Sequence, residues 1–261
     1  MGTALVTGAS AGLGLEFAWQ LATAKHDVVL VARDEERLTR LAAQLEAAAG
    51  VHAEVLVADL TRDEDVARVA ERLRDPERPV GLLVNNAGLG LGKPFVGNDI
   101  DAEVKALDVM VRAVLVLSHA AAGAMVERGR GAILNVGSIA ALMASGTYSA
   151  HKAWVRSFTE SLAVELKGTG VTATVVNPGF THTEFHERGQ IDMSSFPELV
   201  WLNAEDVVAA ALADVRRGVV ISTPSARYRT VSAIVRTLPR SAVRRIGKYR
   251  RPMDETAAPD A

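Results

Sequence analysis

Thr3-Ala4-Leu5-Val6-Thr7-Gly8-Ala9-Ser10-Ala11-Gly12-Leu13-Gly14 opens the chain with a short β-branched run that breaks into a glycine-rich turn and then into helix-forming sequence. A strand over Thr3–Thr7 followed at once by a helix over Gly12–Ala24 is the first half of a βαβ unit. Glycines let the backbone turn sharply and approach a ligand closely, while a helix N-terminus offers unpaired N–H groups and a positive dipole end to a diphosphate. The spacing is Gly-x-x-x-Gly-x-Gly rather than the commoner dinucleotide fingerprint. Alone, such a loop is weak evidence, since many turns use glycine structurally; its place at the first βα turn strengthens it.

Outward from that turn, short β-branched runs alternate with longer helical stretches. Strands are predicted at Val28–Ala32, Val51–Val57, Val80–Val84, Ala132–Val136 and Val171–Asn177, and helices at Asp34–Ala49, Arg62–Arg74, about Glu103 to Arg128, and Tyr148–Lys167. After Pro178 the alternation lapses until a helix at Ala204–Arg217 and a last strand at Val219–Ser222. The pattern predicts an α/β fold, a single-domain doubly wound parallel sheet (Rossmann-like) with helices on both faces. Residues 1–224 form the predicted domain, 225–251 a basic amphipathic helical extension and 252–261 a disordered tail.

The 261 residues suffice for one such domain, and a net charge of -2 gives no general attraction to nucleic acid. Absence of cysteine excludes disulfides, thiolate catalysis and Cys-based metal sites. A first strand starting at Thr3 leaves no room for a leader, and no uncharged apolar run reaches about 18 residues, so the expectation is a cytoplasmic protein without a spanning helix. Charge is uneven: Ser225–Arg251 holds nine Arg or Lys and no acid. Tyr228, Val231, Val235 and Leu238 share one predicted helix face, and Pro239 ends the helix. Two readings stand for this segment: a helix packed on the domain, or peripheral contact with anionic lipid or an acidic carrier protein.

Tyr148 and Lys152, four residues apart, stack on one helix face. Free Tyr and Lys titrate near ~10 and ~10.4, so neither is a good acid–base catalyst alone; a fixed ammonium beside the phenol is expected to lower the phenol's pKa. Together, the glycine turn, Asn85-Asn86-Ala87-Gly88, Ser138, Tyr148-x-x-x-Lys152 and Pro178-Gly179 resemble, in order and approximate spacing, the short-chain dehydrogenase/reductases. The resemblance runs from about Thr3 to Ser222 and includes actinobacterial members that reduce keto groups on lipidic substrates with NADP(H).

That resemblance implies a nicotinamide dinucleotide cofactor. It makes Tyr148 the general acid that protonates a carbonyl oxygen, Lys152 the residue that tunes it and bonds the nicotinamide ribose, and Ser138 the residue that positions the substrate oxygen. Ser138 precedes Tyr148 by ten residues, about three fewer than is usual in the family, which shortens the loop Ile139–Thr147. Gly8, Ser10, Gly12, Leu13 and Gly14 would cradle the diphosphate. Asp59 and Leu60 would flank the adenine, and Asn86, Ala87 and Gly88 would lie under its ribose. Pro178, Gly179, Thr181 and Thr183 would hold the nicotinamide amide. Ala32-Arg33 stands where an NAD-preferring site carries an acid, so NADP(H) is expected over NAD, with Arg33 pairing the 2′-phosphate; a solvated loop arginine beside a helix-capping Asp34 is the plainer alternative.

Met110 occupies the position where the family usually has an asparagine that bends the long helix and holds a water, a role methionine cannot fill. This departure supports a second reading, an NADP(H)-binding sensor or scaffold with little turnover. His182 and His186 have helix-type metal spacing but no evident third ligand, so no metal is expected. The predicted lid, His182–Leu202, carries Phe185, Ile191, Met193, Phe196, Leu199, Val200 and Trp201, which fits either a hydrophobic substrate or packing against the domain. The helix with Val109, Val111, Val114, Leu115, Val116 and Leu117 is apolar nearly all round. In the family this helix and the Tyr148 helix pair across a two-fold axis, so a homodimer or homotetramer is expected.

Overall fold

The computed structural model describes residues 2–184 and 197–246. Seven parallel strands form one sheet in the order β3-β2-β1-β4-β5-β6-β7. They are β1 (Thr3–Thr7), β2 (Asp27–Ala32), β3 (Ala53–Val57), β4 (Val80–Asn85), β5 (Gly131–Val136), β6 (Val171–Val176) and β7 (Ile221–Ser222). Strand alternation splits the core in two. Ala4, Val6, Val28 and Leu30 face α1 (Gly12–Thr23) and α2 (Glu35–Ala49), with Val208 and Leu212 of α7 (Ala204–Arg216) in the same cluster. Leu5, Val29 and Val31 face α3 (Asp63–Arg74) and α5 (Ala113–Glu127) on the other side. The chain builds outward from β1 to β3, then returns to β4 on the opposite flank, so a crevice opens between the C-terminal ends of β1 and β4.

The long helix starts earlier than its composition predicts. It comprises α4 (Ile100–Leu107) and α5, joined by a π-helical turn over Asp108–Arg112. Such a turn inserts one extra residue into the helical ladder and bends it, often at a functional site. Met110 sits buried inside it, so the π turn forms without an asparagine. By length and composition alone, Ile100–Glu127 would pass as a membrane span; here Ala113, Leu117, Ala121 and Met125 are buried in the domain core. Its outer side leaves Val104, Leu107 and Leu115 between 45% and 48% exposed.

A buried polar chain ties sheet to helices. Asn85 Nδ2 donates to Ser118 Oγ at 3.1 Å and to Asn135 Oδ1 at 2.9 Å. Asn135 Nδ2 donates to Thr159 Oγ1 at 2.9 Å, and that hydroxyl donates to the Val155 carbonyl at 2.6 Å. These bonds fix β4, β5, α5 and α6 (Gly146–Glu165) in register through groups that would be costly to bury unpaired.

After β7 come α8 (Ala226–Thr237) and α9 (Arg240–Ile246), interrupted at Leu238-Pro239 as predicted. The predicted contact face needs correction. Tyr228 is buried and Val235 partly so, but Val231 and Ile234 are 42% and 56% exposed. The helix is turned so that partly buried Ser232 joins the inner face, because α8 crosses the turn at residues 139–142 and packs against it. The tail 252–261, with Lys248, Arg250 and Arg251, lies outside the described residues.

Replacing Asn135 with Ala removes its bonds to Asn85 and Thr159 inside the protein. Stability measured by urea unfolding is expected to fall by about 2–3 kcal/mol; a loss under about 0.5 kcal/mol would show that the network is energetically idle.

Candidate active site

The turn between β1 and α1 closes through absence of side chains. A Cβ on Gly14 would lie 2.1 Å from the Gly8 carbonyl oxygen and 2.5 Å from Asn86 Nδ2, and Gly8 itself has φ +67°. Ala11 at the N-cap of α1 offers no capping side chain, and the first turn has no acid. The cap residue thus satisfies none of the N–H groups of that first turn, and a helix N-terminus of this kind suits an anion. Ser10 and Leu13 are partly buried in the same turn. Thr183 packs against Gly12, its Cβ only 3.2 Å from where a Cβ on Gly12 would stand.

The second wall is the end of β4. Asn86 Nδ2 donates to the Thr7 carbonyl at 2.9 Å, while Thr7 Oγ1 accepts from Asn86 N and Ala87 N, both at 3.0 Å. Thr7 escaped the sequence reading; a hydroxyl closing an otherwise apolar strand was its one signal. Gly88 faces Met110, whose Sδ lies 3.8 Å from the position of a Cβ on that glycine. The glycine turn, the Asn85–Gly88 stretch and Thr183 thus meet around one crevice, and the residues present fit a dinucleotide there.

At the end of β2, Arg33 is exposed and makes no ion pair among the described residues. Asp34 does cap α2, its Oδ1 accepting from Arg37 N at 3.0 Å, and Arg37 also reaches Glu184 Oε2 at 3.3 Å. Asp59 Oδ1 accepts from Thr61 N and Oγ1 at 3.0 and 2.9 Å, shaping the turn after β3. Leu60 departs from expectation: its side chain is buried with Val66 and Val69 beneath α3.

Tyr148 and Lys152 lie one turn apart on α6, with Lys152 Nζ 5.8 Å from the Tyr148 ring centre. Lys152 is only 5% exposed and donates to the Val136 carbonyl at 2.7 Å. Ser138 does two things. Its Oγ accepts from Ala140 N at 3.1 Å, opening a 3-10 turn over Ile139–Leu142, and its side chain hydrogen-bonds Tyr148. Asn177 Oδ1 accepts from Ser138 N at 3.2 Å and holds that residue in place. The short interval before Tyr148 is thus spanned by one compact turn.

The electrostatics reverse one expectation. Burial pushes the Tyr148 phenol up to about 12, outweighing the Ser138 hydrogen bond that pulls it down. The Lys152 ammonium, whose three donors meet one carbonyl at short range, is pushed down by burial to about 8. Desolvation outweighs the attraction that was to acidify the phenol, because the pair shares a site poor in water. Tyr148 keeps part of its surface exposed, so its desolvation is the less complete of the two. Near pH 7 the geometry therefore offers a protonated phenol, a hydroxyl beside it, and a charged lysine one turn away. Such a set can donate a proton to an oxygen gaining negative charge and stabilise the phenolate left behind.

Beyond β6, Thr181 is buried and donates to the Gly179 carbonyl at 3.1 Å, leaving its oxygen to accept. Thr181 and Leu202 form a parallel bridge, so the two ends of the predicted lid come together. Phe185, His186, Ile191, Met193 and Phe196 lie outside the described residues. His182 stacks on Trp201 with ring centres 4.6 Å apart and pairs with Glu198 at 2.8 Å. Among the described residues no group of three or more His, Asp or Glu is placed to hold a metal.

The family model described as short chain dehydrogenase matches residues 2–193. Sulfoacetaldehyde reductase 2 of Chromohalobacter salexigens is 39% identical over 187 residues, 69% of this chain and 73% of the relative. A short-chain dehydrogenase from Sphingobium yanoikuyae, solved in complex with NADPH, superposes with a TM-score of 0.83 at 35% identity, covering 96% of this chain and 99% of that one. The bulky-bulky ketone specific alcohol dehydrogenase of Comamonas testosteroni gives a TM-score of 0.78 at 29% identity over 92% of this chain and 96% of that one. With the glycine turn, the Asn85–Gly88 stretch and Ser138 following strands that end on the same edge of a doubly wound sheet, the chain belongs to the short-chain dehydrogenase/reductase family of oxidoreductases.

Proposed function

We propose that this protein interconverts a ketone and a secondary alcohol with NADP(H). The observation that carries this reading is the Ser138–Tyr148 hydrogen bond with Lys152 one turn away, at the mouth of the β1–β4 crevice. The bound nicotinamide supplies the hydride. The chain's own residues do the rest: Ser138 holds the carbonyl oxygen, Tyr148 gives it a proton, and Lys152 stabilises the phenolate and takes the nicotinamide ribose. At pH 7 the phenol is protonated, so Tyr148 gives its proton in reduction and recovers one along the same path in oxidation. Gly8, Ser10, Gly12, Leu13 and Gly14 take the diphosphate, and Asn86, Ala87 and Gly88 take the adenosine ribose. Pro178, Gly179, Thr181 and Thr183 take the amide.

A hydrophobic substrate is supported by Phe180 and Trp201, whose rings meet 5.9 Å apart beside the site, and by the bulky-ketone specificity stated for the Comamonas neighbour. The Chromohalobacter relative takes its name from a small anionic aldehyde, so substrate size is set by this chain's own walls and not by family membership. The alternative of a cofactor-binding scaffold with little turnover draws on Met110, which cannot hold a relay water as an asparagine does; the presence of Ser138, Tyr148 and Lys152 together argues against it.

NADPH oxidation with a panel of hydrophobic ketones tests the reading. Tyr148→Phe is expected to lower kcat by about 10²–10⁴-fold while NADPH binding persists; full activity in that variant, or binding without any turnover in the unaltered protein, would exclude it.

Cofactor choice is tested at Arg33. Arg33→Ser should raise the KM for NADPH by about 10–100-fold and leave that for NADH nearly unchanged; equal effects on both would remove Arg33 from the 2′-phosphate.

The pH dependence has a definite sign. Lys152 carries its charge below about 8 and loses it above. NADPH affinity should therefore be level up to about pH 7 and fall above about 8, by at most about tenfold per unit. Affinity that rises between pH 7 and 9 would contradict a charged lysine at the ribose.

A further inference from the structure

Two stretches meet beyond the end of β6: Gly179–His182, leaving β6, and Val200–Leu202, preceding α7. They are bound to each other, Leu202 N donating to the Phe180 carbonyl at 2.8 Å and His182 N to the Leu202 carbonyl at 3.1 Å. One phenol from the C-terminal segment engages both. The Tyr228 hydroxyl donates to the Val200 carbonyl at 2.6 Å and accepts from Phe180 N at 3.4 Å. Its ring lies so close over Gly179 that a Cβ there would come within 2.0 Å of Cε2. Tyr228 is only 6% exposed.

The same segment reaches the facing wall. Arg240 Nη1 donates to the Leu142 carbonyl at 3.3 Å. Ser232 and Arg236 line a small cleft whose other side includes Ser138, Ile139 and Leu142.

We infer that Tyr228 is a positioning residue of the active site, a clamp by which the C-terminal segment sets the spacing between the amide-holding stretch Gly179–Thr183 and the substrate wall Val200–Leu202. A buried phenolic hydroxyl is costly unless paired, and here each pairing lands on a different wall. Loosening one hydroxyl therefore lets the two walls shift relative to each other while the tyrosine ring still fills its place. The inference rests on the nicotinamide-dependent reading of the site.

Tyr228→Phe keeps the ring over Gly179 and removes only the hydroxyl. Its dissociation constant for NADPH, measured by fluorescence titration, and its KM for the best ketone should each rise about five- to tenfold, with kcat changed by less than about twofold. The melting temperature should stay within about 3 °C. Unchanged binding and KM, with or without a lower melting temperature, would make Tyr228 a packing residue and overturn the inference. Gly179→Ala gives an independent check, since its methyl must displace the same ring. If the clamp is one unit, adding Tyr228→Phe to Gly179→Ala worsens binding by less than about twofold; fully additive losses overturn it. Should the unaltered protein bind no NADPH and reduce no ketone, the functional reading fails first and the clamp falls with it. A normal unaltered protein beside a normal Tyr228→Phe refutes the clamp alone.

Discussion

Everything at the crevice depends on how tightly the chain turns between β1 and α1. The Gly8 carbonyl and the Asn86 amide occupy the space where a side chain on residue 14 would have to sit. Because that space is shared, α1 can start directly beneath the end of β1, and β4 can approach close enough for Thr7 to bond the backbone of Asn86 and Ala87. A methyl group there would push the helix outward and open the junction between the two halves of the sheet. The uncapped N-terminus of α1 would then no longer face the crevice.

Burial is the second governing quantity, and it acts in opposite senses on two neighbours. Withdrawing Tyr148 and Lys152 from water disfavours phenolate and ammonium alike, so the phenol rises and the lysine falls. The phenol therefore stays protonated and the neighbouring lysine stays charged through neutral pH. Ser138 and the Val136 carbonyl hold the two groups from one strand end, β5, which the buried Asn135 bonds keep aligned with β4 and α6. The polar network under the sheet and the acid–base pair above it are thus parts of one construction.

The C-terminal segment shows how a surface element becomes part of a site. Arg227, Arg229, Arg244 and Arg245 are exposed together with Val231 and Ile234, while Tyr228 turns inward to meet backbone groups from two separate stretches. Of the two sequence readings of this region, packing on the domain describes the inner face. The outer face keeps the basic, partly apolar character that prompted the other.

Strand and helix positions, the glycine turn, the Asp34 cap and the Tyr148–Lys152 stack were legible from residues alone, because each depends on spacing within a few positions of the chain. Period-two and period-3.6 patterns and the left-handed preference of glycine are local properties that survive without knowledge of neighbours. What local pattern could not supply was decided by tertiary contact. The sign of the Tyr148 shift came from burial, the inward turn of Leu60 from packing under α3, and the rotation of α8 from the turn it crosses. The long helix takes a π turn around Met110, and Tyr228 reaches Gly179 from 49 positions away. Solvation and long-range packing are properties of the assembled surface, and no window along the chain contains them.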